Sequence, residues 1–147
     1  MADIVQEALR GDWMKKPADG SEAEFDVEGF LDQNLDFSGR EFDVVLLWTT
    51  LDYIPEVLVA PIVERFRSSM RPGGRILALF HTRATGPQTA FCRYHITDGD
   101  SIEMQESTAH VVKRVYTNRS IEKIFDSYAG IKFFLAQDNL YEVIITR

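Results

Sequence analysis

Cysteine is almost absent from this sequence of 147 residues, and Cys92 is the only one. A lone thiol cannot form an internal disulfide or a metal site made only of thiolates, and it is typical of a reducing compartment. The three histidines, His81, His95 and His110, lack the spacing of metal ligands. We therefore predict no metal site.

Basic residues are scarce too, since 16 Lys and Arg stand against 23 Asp and Glu, which gives a net charge of −7. A protein that binds nucleic acid through its phosphates needs a basic face, so we expect no nucleic-acid partner. Apolar runs such as Val44 to Trp48 are too short to cross a bilayer, and the first residues lack the pattern of a signal peptide. We expect a cytoplasmic protein with no membrane partner.

The remaining composition, with 45% hydrophobic and 27% charged residues, is that of one globular domain. We expect this domain to span residues 1–147 and to begin with an irregular or helical segment over about residues 1–24. Within that segment, Asp3 to Arg10 has apolar residues at helical spacing. Asp3 is a suitable cap, and Gly11 can end the helix.

The clearest element is the run from Phe42 to Trp48, which is apolar at every position except Asp43. A continuous apolar run indicates a strand covered on both faces, as in the middle of a parallel sheet. Arg75 to Phe80 indicates a second buried strand after an Arg-Pro-Gly-Gly turn. Between the two, Pro61 suits only the first turn of a helix, so we expect the helix to begin there. Its buried stripe would be Ile62, Phe66 and Met70.

Weaker patterns indicate three more strand regions. Phe25 to Leu31 shows alternation, and Val111 to Tyr116 could add a strand. Phe91 to Thr97 and Ser101 to Gln105 flank a glycine turn and indicate a hairpin. For its residues Arg93, Tyr94 and His95, the alternatives are that they cover a binding pocket or that they are exposed on an edge strand, and we prefer the second.

The C-terminal part of the sequence predicts a helix and a hairpin. Thr117 or Asn118 can cap a helix that runs through Tyr128 and ends at Gly130. Ile131 to Ala136 and Leu140 to Thr146 then form a closing hairpin.

Two segments resemble class I S-adenosylmethionine (SAM)-dependent methyltransferases. Glu41 to Ile54 (EFDVVLLWTTLDYI) is similar to the family's fourth strand and the loop after it. Arg67 to Arg83 (RSSMRPGGRILALFHTR) is similar to its next helix, L-x-P-G-G turn and fifth strand. The likeness covers about Asp26 to Arg147. It implies an α/β fold: a mostly parallel Rossmann-like methyltransferase sheet of order 3-2-1-4-5-7-6, N-terminally truncated, with a C-terminal antiparallel hairpin.

The sequence departs from the family at the glycine-rich loop that approaches the methionine part of SAM. Its nine glycines form neither GxGxxG nor GxGxG. The ~25 residues before Phe25 to Leu31, which would be the family's third strand, are too few for a βαβ crossover. Without the first two strands, Phe42 to Trp48 lacks a neighbour on one side. A longer native protein, pairing with a Phe25 to Leu31 strand, or a homodimer through the open sheet edge would supply one. For the isolated chain we expect the second or the third.

The resemblance implies SAM as the cofactor and suggests which residues would hold it. Asp3 would accept hydrogen bonds from the ribose hydroxyls, although its position also suits a helix cap. Asp32 and Gln33 would meet the adenine, with a solvated loop as the alternative. Trp48 and Thr49 leave the central strand where cofactor and acceptor meet, with a core position as the alternative for Trp48.

The acceptor implied by the resemblance is a small molecule in contact with Asp52 and Arg83. We predict Tyr53 and His81 as catalytic residues, because the imidazole could take a proton from the nucleophile. A structural hydrogen-bonding role is the commoner one for such a histidine. The alternative to a methyltransferase is a non-catalytic α/β module or partner-dependent subunit that has lost the glycine loop. A different Rossmann-like nucleotide binder would need a phosphate-cradling loop.

Overall fold

The computed structural model describes residues 3–85, 91–107, 110–135 and 139–147. The helices are α1 (Ile4–Ala8), α2 (Val27–Asn34), α3 (Thr50–Tyr53), α4 (Glu56–Ser69) and α5 (Asn118–Ile124). The strands are β1 (Met14–Lys15), β2 (Glu24–Phe25), β3 (Phe42–Trp48), β4 (Met70–His81), β5 (Phe91–Ile96), β6 (Ile102–Ser107), β7 (Gly130–Leu135) and β8 (Leu140–Thr146). None of the described helices is both long and apolar enough to cross a bilayer.

Four strands form the main sheet in the order β3-β4-β8-β7. β3 and β4 run parallel, whereas β4 with β8 and β8 with β7 are antiparallel pairs. The predicted strands Phe42 to Trp48 and Arg75 to Phe80 are therefore confirmed as parallel neighbours. The order is that of the family's strands 4-5-7-6. A mostly parallel sheet is not confirmed, because the described sheet is mixed.

Both predicted hairpins are present. β5 pairs antiparallel with β6, and β7 pairs antiparallel with β8. The turn of the closing hairpin, residues 136–138, lies outside the described residues, as does the predicted strand end at Ala136.

The core lies on one face of the main sheet. Val45, Ile76, Ile145 and Ile131 lie side by side across β3, β4, β8 and β7, and Ile76 and Ile145 are 0% exposed. The predicted stripe of Ile62, Phe66 and Met70 packs into the same cluster, although Met70 begins β4 rather than ending α4. The apolar side of α5 packs there too. Removal of these side chains from water is the main stabilising contribution to such a two-layer fold.

The expectation that Phe42 to Trp48 is covered on both faces is wrong for the described structure. Val44 and Leu46, on the face opposite the core, are 59% and 38% exposed. The physical reason is that α4 and α5 pack against the core face. Among the described strands, β3 pairs only with β4, so the predicted open side of this strand is confirmed.

The predicted strand Phe25 to Leu31 is wrong, because most of this segment is helix α2. Asp26 caps the helix, and its Oδ1 accepts a hydrogen bond from the Gly29 main-chain nitrogen at 3.3 Å. A Cβ on Gly29 would lie 2.2 Å from Oδ2 of Asp26, so any other residue there would displace the capping carboxylate from this position. The segment therefore does not pair with β3.

The expected start of α4 at Pro61 is wrong as well. The helix begins at Glu56 after Pro55, and Pro61 lies inside it. Pro61 has no N–H, so the carbonyl of Val57 lacks its intrahelical donor. Leu58 is 0% exposed, which indicates that burial of the first helical turn outweighs this cost.

Residues Val111 to Tyr116 form no regular strand, contrary to expectation. The Lys113 main-chain nitrogen instead donates to the main-chain carbonyl of Asp52 at 2.7 Å. This hydrogen bond connects the segment to helix α3. A sheet ladder would require the same N–H group.

Helix α5 has the predicted cap and a different end. The Thr117 side chain accepts a hydrogen bond from the Ser120 main-chain nitrogen at 3.2 Å. The helix stops at Ile124, before Tyr128, and Gly130 begins β7 rather than ending the helix. The Tyr128 hydroxyl is still buried and donates to the Val63 carbonyl at 2.8 Å.

Candidate functional site

A cleft of about 620 Å³ lies at the carboxyl end of β3. Its walls come from α1, from the residues that follow β3, and from β5. The lining side chains used below are Asp3, Trp48, Thr49, Phe91, Arg93 and Tyr94. Open α/β sheets bind their ligands at this end of the parallel strands.

Trp48 has an unusual backbone conformation at the mouth of this cleft. Its φ is +46°, in the left-handed region that bulky side chains rarely adopt. The parallel ladder shifts register between Leu46 and Trp48, so the chain leaves the sheet here. The indole stacks on the ring of Tyr94, with centroids 4.7 Å apart and planes 12° from parallel. Backbone strain of this kind is a reason to suspect a functional site.

Thr49 and Tyr94 form the neutral, polar part of the cleft. Thr49 is 2% exposed, and Tyr94 is half-buried. Burial raises the pKa of the Tyr94 phenol to about 12, and a hydrogen bond with Thr49 acts in the opposite direction. The phenol is therefore uncharged at neutral pH.

Asp3 is both a helix cap and a cleft residue. Its Oδ1 accepts hydrogen bonds from the main-chain nitrogens of Val5, at 3.0 Å, and Gln6, at 3.2 Å. Its Oδ2 lies 3.9 Å from Nη2 of Arg93. The helix-cap interpretation is confirmed, and the second carboxylate oxygen still faces the cleft opposite a guanidinium group.

Three predicted site residues lie together beneath the cleft. Asp52 and Tyr53 are 0% exposed and His81 is 2% exposed, and none of them lines the cleft. The Asp52 Oδ2 is 2.7 Å from the His81 main-chain nitrogen and 2.7 Å from the ring Nδ1. The Tyr53 ring contacts His81 and Phe91 edge-on, at centroid distances of 5.8 and 5.0 Å. Phe91 thus separates this group from the cleft.

Burial shifts the pKa values of Asp52 and Tyr53. It raises the pKa of the Asp52 carboxyl, while the hydrogen bonds from His81 act in the opposite direction. Within the described part of the chain, Asp52 Oδ1 has no hydrogen-bond partner. Burial, and then the Asp52 carboxylate, raise the pKa of Tyr53, which therefore keeps its proton. The group connects helix α3, which follows β3, to the end of β4.

The other predicted site residues lie away from the cleft. Asp32 and Gln33 are exposed on α2, and Asp32 forms an ion pair with Arg65 of α4 at 3.0 Å. Their expected position at the end of a strand is wrong. Arg83 is exposed just beyond β4.

The preferred interpretation of the hairpin, as an exposed edge strand, is wrong for Tyr94. Tyr94 is not an exposed edge-strand residue, because its ring packs on Trp48. Arg93 and His95 are exposed as expected, and Arg93 lines the cleft. The available signal was the Arg-Tyr pair in an insertion shortly after a strand end that faces a ligand site.

The cleft residues fit one part of SAM and not the other. A carboxylate oxygen, a hydroxyl group and aromatic rings suit the hydroxyls and base of a nucleoside. The methionine part needs close approach to main-chain amides, and none of the described residues that line the cleft is glycine. The donor set therefore fits the adenosyl part and does not fit the methionine part.

Comparison with known proteins finds likeness only among solved structures, since no family model and no curated protein matches. The pyocyanin biosynthetic protein PhzM shares 13% identity at a TM-score of 0.49, over 74% of this chain and 31% of that one. An amino pentose methyltransferase from Micromonospora echinaspora shares 12% identity at a TM-score of 0.45, over 74% of this chain and 60% of that one. The glycopeptide N-methyltransferase MtfA shares 10% identity at a TM-score of 0.44, over 73% of this chain and 55% of that one.

This chain thus spans between 31% and 60% of the length of these three structures. Its own strand order can be compared with that of a class I methyltransferase sheet. In the described strands, a parallel pair is followed by an antiparallel hairpin whose second strand is the inner one. The main sheet has the arrangement of a class I methyltransferase-like fold over strands 4, 5, 7 and 6.

Proposed function

We propose that this chain binds the adenosyl part of SAM in the cleft beside Trp48 and takes part in methyl transfer to a small-molecule acceptor. One observation carries the proposal: a strained Trp48, at the carboxyl end of the parallel pair, stacks on Tyr94 in a cleft that also contains Asp3 and Thr49. Strain and stacking at the ligand end of a sheet are features of a binding site more than of a core.

Each cleft residue has a chemical part in this proposal. The Asp3 Oδ2 can accept hydrogen bonds from vicinal hydroxyls, since capping occupies only Oδ1. The Thr49 hydroxyl and the Tyr94 phenol are neutral groups that can exchange hydrogen bonds with a base. The Trp48 and Tyr94 rings supply apolar surface for a planar ligand.

Methyl transfer depends on more than the residues of this cleft. The methionine part of SAM needs a glycine loop, and the lining residues supply none. Binding of the adenosyl part is therefore the function of the described residues, and turnover requires a loop from another segment or another polypeptide.

The second candidate function is that of a non-catalytic module with the same cleft. The burial of His81 and Tyr53 favours it, because neither predicted catalytic side chain reaches the cleft. A general base has to come within hydrogen-bond reach of the proton it takes. The two candidates differ in turnover and not in adenosyl binding.

Calorimetric titration with adenosine and with S-adenosylhomocysteine tests the proposal. We expect both to bind, with dissociation constants within about threefold of each other, because the methionine part gains few contacts. Trp48→Ala should weaken both at least about tenfold. Phe134→Ala, which removes an exposed ring from β7, is the matched control and should change neither.

Three outcomes decide between the alternatives. Failure of both ligands to bind would overturn the proposal. Binding of S-adenosylhomocysteine more than about tenfold tighter than adenosine would show that the methionine part is held, contrary to the fit described above. Methyl transfer from SAM by this chain alone to any of a panel of amines and phenols would exclude the non-catalytic module.

A further inference from the structure

The hairpin of β5 and β6 has one polar side and one apolar side. Residues opposite each other in its antiparallel ladder point to the same side, and neighbours along a strand point to opposite sides. The polar side carries Phe91, Arg93, His95, Glu103, Gln105 and Ser107. The apolar side, which we call the hairpin face, carries Cys92, Tyr94, Ile96, Ile102, Met104 and Glu106.

Three side chains of the hairpin face form an exposed apolar patch. Ile96, Ile102 and Met104 are 66%, 48% and 60% exposed. Ile96 lies opposite Ile102, and Met104 lies opposite Tyr94. Side chains that are opposite in a ladder, or diagonal across it, are within reach of each other, so the patch is continuous with Tyr94. Contiguous exposed apolar surface marks an interaction site.

The patch extends the cleft beside Trp48. Tyr94 lines this cleft and stacks on Trp48, and its ladder partner Met104 belongs to the patch. Cys92 lines the cleft as well and lies opposite Glu106. A molecule on the patch therefore has one end at the cleft, with the Glu106 carboxylate beside it, and the other end along the hairpin.

The charges of the hairpin indicate the chemistry of that molecule. Glu106 is exposed and forms no salt bridge with any other described residue. Asp98 and Asp100, both exposed, lie in the turn at the other end of the hairpin face. Arg93 and His95 point to the polar side. An apolar surface between carboxylates is complementary to an apolar molecule that carries a positive charge.

Two larger occupants suit these features less well. A stable interface between proteins needs about 20–30 residues on each side, whereas the patch has three apolar residues. Two copies of the hairpin face would also bring carboxylates against carboxylates. An anionic membrane surface would be repelled by the same groups. A small molecule is the occupant that fits the size and the charge of the patch.

We propose that the hairpin face binds the methyl acceptor, and that this acceptor is an amine attached to an apolar body. The apolar body lies on Ile96, Ile102 and Met104, and the amine lies beside Glu106 at the entrance to the cleft. This inference rests on the proposed function, because it names the class of acceptor that the adenosyl cleft serves.

Calorimetric titration with naphthylmethylamine, which is positively charged, and with naphthylmethanol, its uncharged counterpart, tests the proposal. Each probe is added to the free protein and to protein saturated with adenosine. We expect each probe to bind equally well in the two conditions, and the amine to bind about threefold tighter than the alcohol, because an exposed ion pair contributes little. Glu106→Gln should remove this difference. Glu103→Gln, on the polar side of the same strand, is the matched control and should preserve it.

A second pair of variants tests the apolar part of the contact. Met104→Lys should weaken both probes at least about tenfold, because the bound ring would remove the new ammonium group from water. Gln105→Lys, the next residue on the polar side, should change neither. Both positions are exposed, so circular dichroism should show that both variants are folded.

The outcomes separate this inference from the proposed function. Adenosine binding without binding of either probe would overturn the inference alone. Probe binding without adenosine binding would contradict the proposed function, and the acceptor role of the hairpin face with it. Competition between the probes and adenosine would overturn the inference, because the probes would then lie against Trp48. Equal affinities for the amine and the alcohol would contradict the role of Glu106. A dimer in sedimentation equilibrium that Met104→Lys dissociates would assign the face to a second copy instead.

Discussion

A single oxygen, Oδ2 of Asp52, lies 2.7 Å from the main-chain nitrogen of His81 and 2.7 Å from its ring Nδ1. When Asp52 is ionised, it can only accept, so Nδ1 carries the ring proton. The pair joins helix α3, which follows β3, to the end of β4. It therefore fixes the two parallel strand ends relative to each other beneath the cleft, a structural role for two residues whose types suggest catalysis.

Removal of the Asp52 carboxylate should strongly destabilise the fold. Asp52→Ala leaves the His81 main-chain and ring nitrogens without their acceptor in a buried site, which costs about 3 kcal/mol. Asp52→Asn keeps one acceptor oxygen and should cost about 1 kcal/mol. Urea unfolding measures both. Asp32→Ala removes an exposed ion pair and is the control, with an expected change of at most about 0.5 kcal/mol. Equal losses in D52A and D32A would contradict this role.

The Asp52 carboxyl should also make stability depend on pH. Burial raises its pKa above the ordinary value of 3.8. A group whose pKa is higher in the folded state stabilises the protein below its unfolded pKa and loses that contribution as pH rises through the folded pKa. The free energy of unfolding, relative to Asp52→Asn, should therefore fall from pH 3.8 upward and then level off. The prediction would be disproved if the difference in unfolding free energy between the unmodified chain and Asp52→Asn increased with pH. It would also be disproved if the carboxyl carbon signal of Asp52 titrated below pH 3.8.

The positive φ of Trp48 predicts an inverted order of two substitutions. Glycine adopts the left-handed region without strain, whereas alanine retains a Cβ that clashes there. Trp48→Gly should therefore be more stable than Trp48→Ala by about 1 kcal/mol, although both lose the stack on Tyr94. Urea unfolding of the two variants gives the comparison. The usual order, with alanine the more stable, would show that the conformation is not strained.

Pro61 should be a position where substitution stabilises the protein. Alanine restores an N–H that can donate to the Val57 carbonyl inside α4, and the gain should be about 1–3 kcal/mol. Thermal unfolding of Pro61→Ala measures it. Pro55→Ala provides the comparison, because at the cap no intrahelical donor is missing and little change is expected. A loss of stability in P61A would mean that packing of the proline ring outweighs the missing hydrogen bond.

The strands were predictable where local pattern and tertiary environment agree. Phe42 to Trp48 is apolar except at Asp43, Ile76 to Phe80 is entirely apolar, and their parallel pairing follows from the helix between them. The strand predicted for Phe25 to Leu31 was wrong because its apolar positions fit the period of a helix as well as that of a strand. The hydrogen bond from the Gly29 main-chain nitrogen to the Asp26 cap favours the helix. The predicted start of α4 at Pro61 was wrong because the burial of Leu58, which favours an earlier start, depends on tertiary packing and not on local sequence.

The candidate site was predictable in part for a similar reason. The end of β3 identifies Trp48 and Thr49, because parallel strands present their carboxyl ends to ligands. The stack of Trp48 on Tyr94 depends on where the hairpin packs, and no local pattern contains that information. The burial of His81 depends likewise on Asp52, which is distant in sequence.

The two tryptophans allow the most direct test of the central claim, that the cleft beside Trp48 binds the adenosyl group. Trp48 lines this cleft, whereas Trp13 packs against Phe30 at a centroid distance of 5.2 Å and does not. In a titration with adenosine followed by nitrogen-15 NMR, we predict that the Trp48 indole N–H signal shifts progressively and saturates, while the Trp13 signal stays in place. An unchanged Trp48 signal at saturating adenosine, or equal shifts of both indoles, would contradict the account.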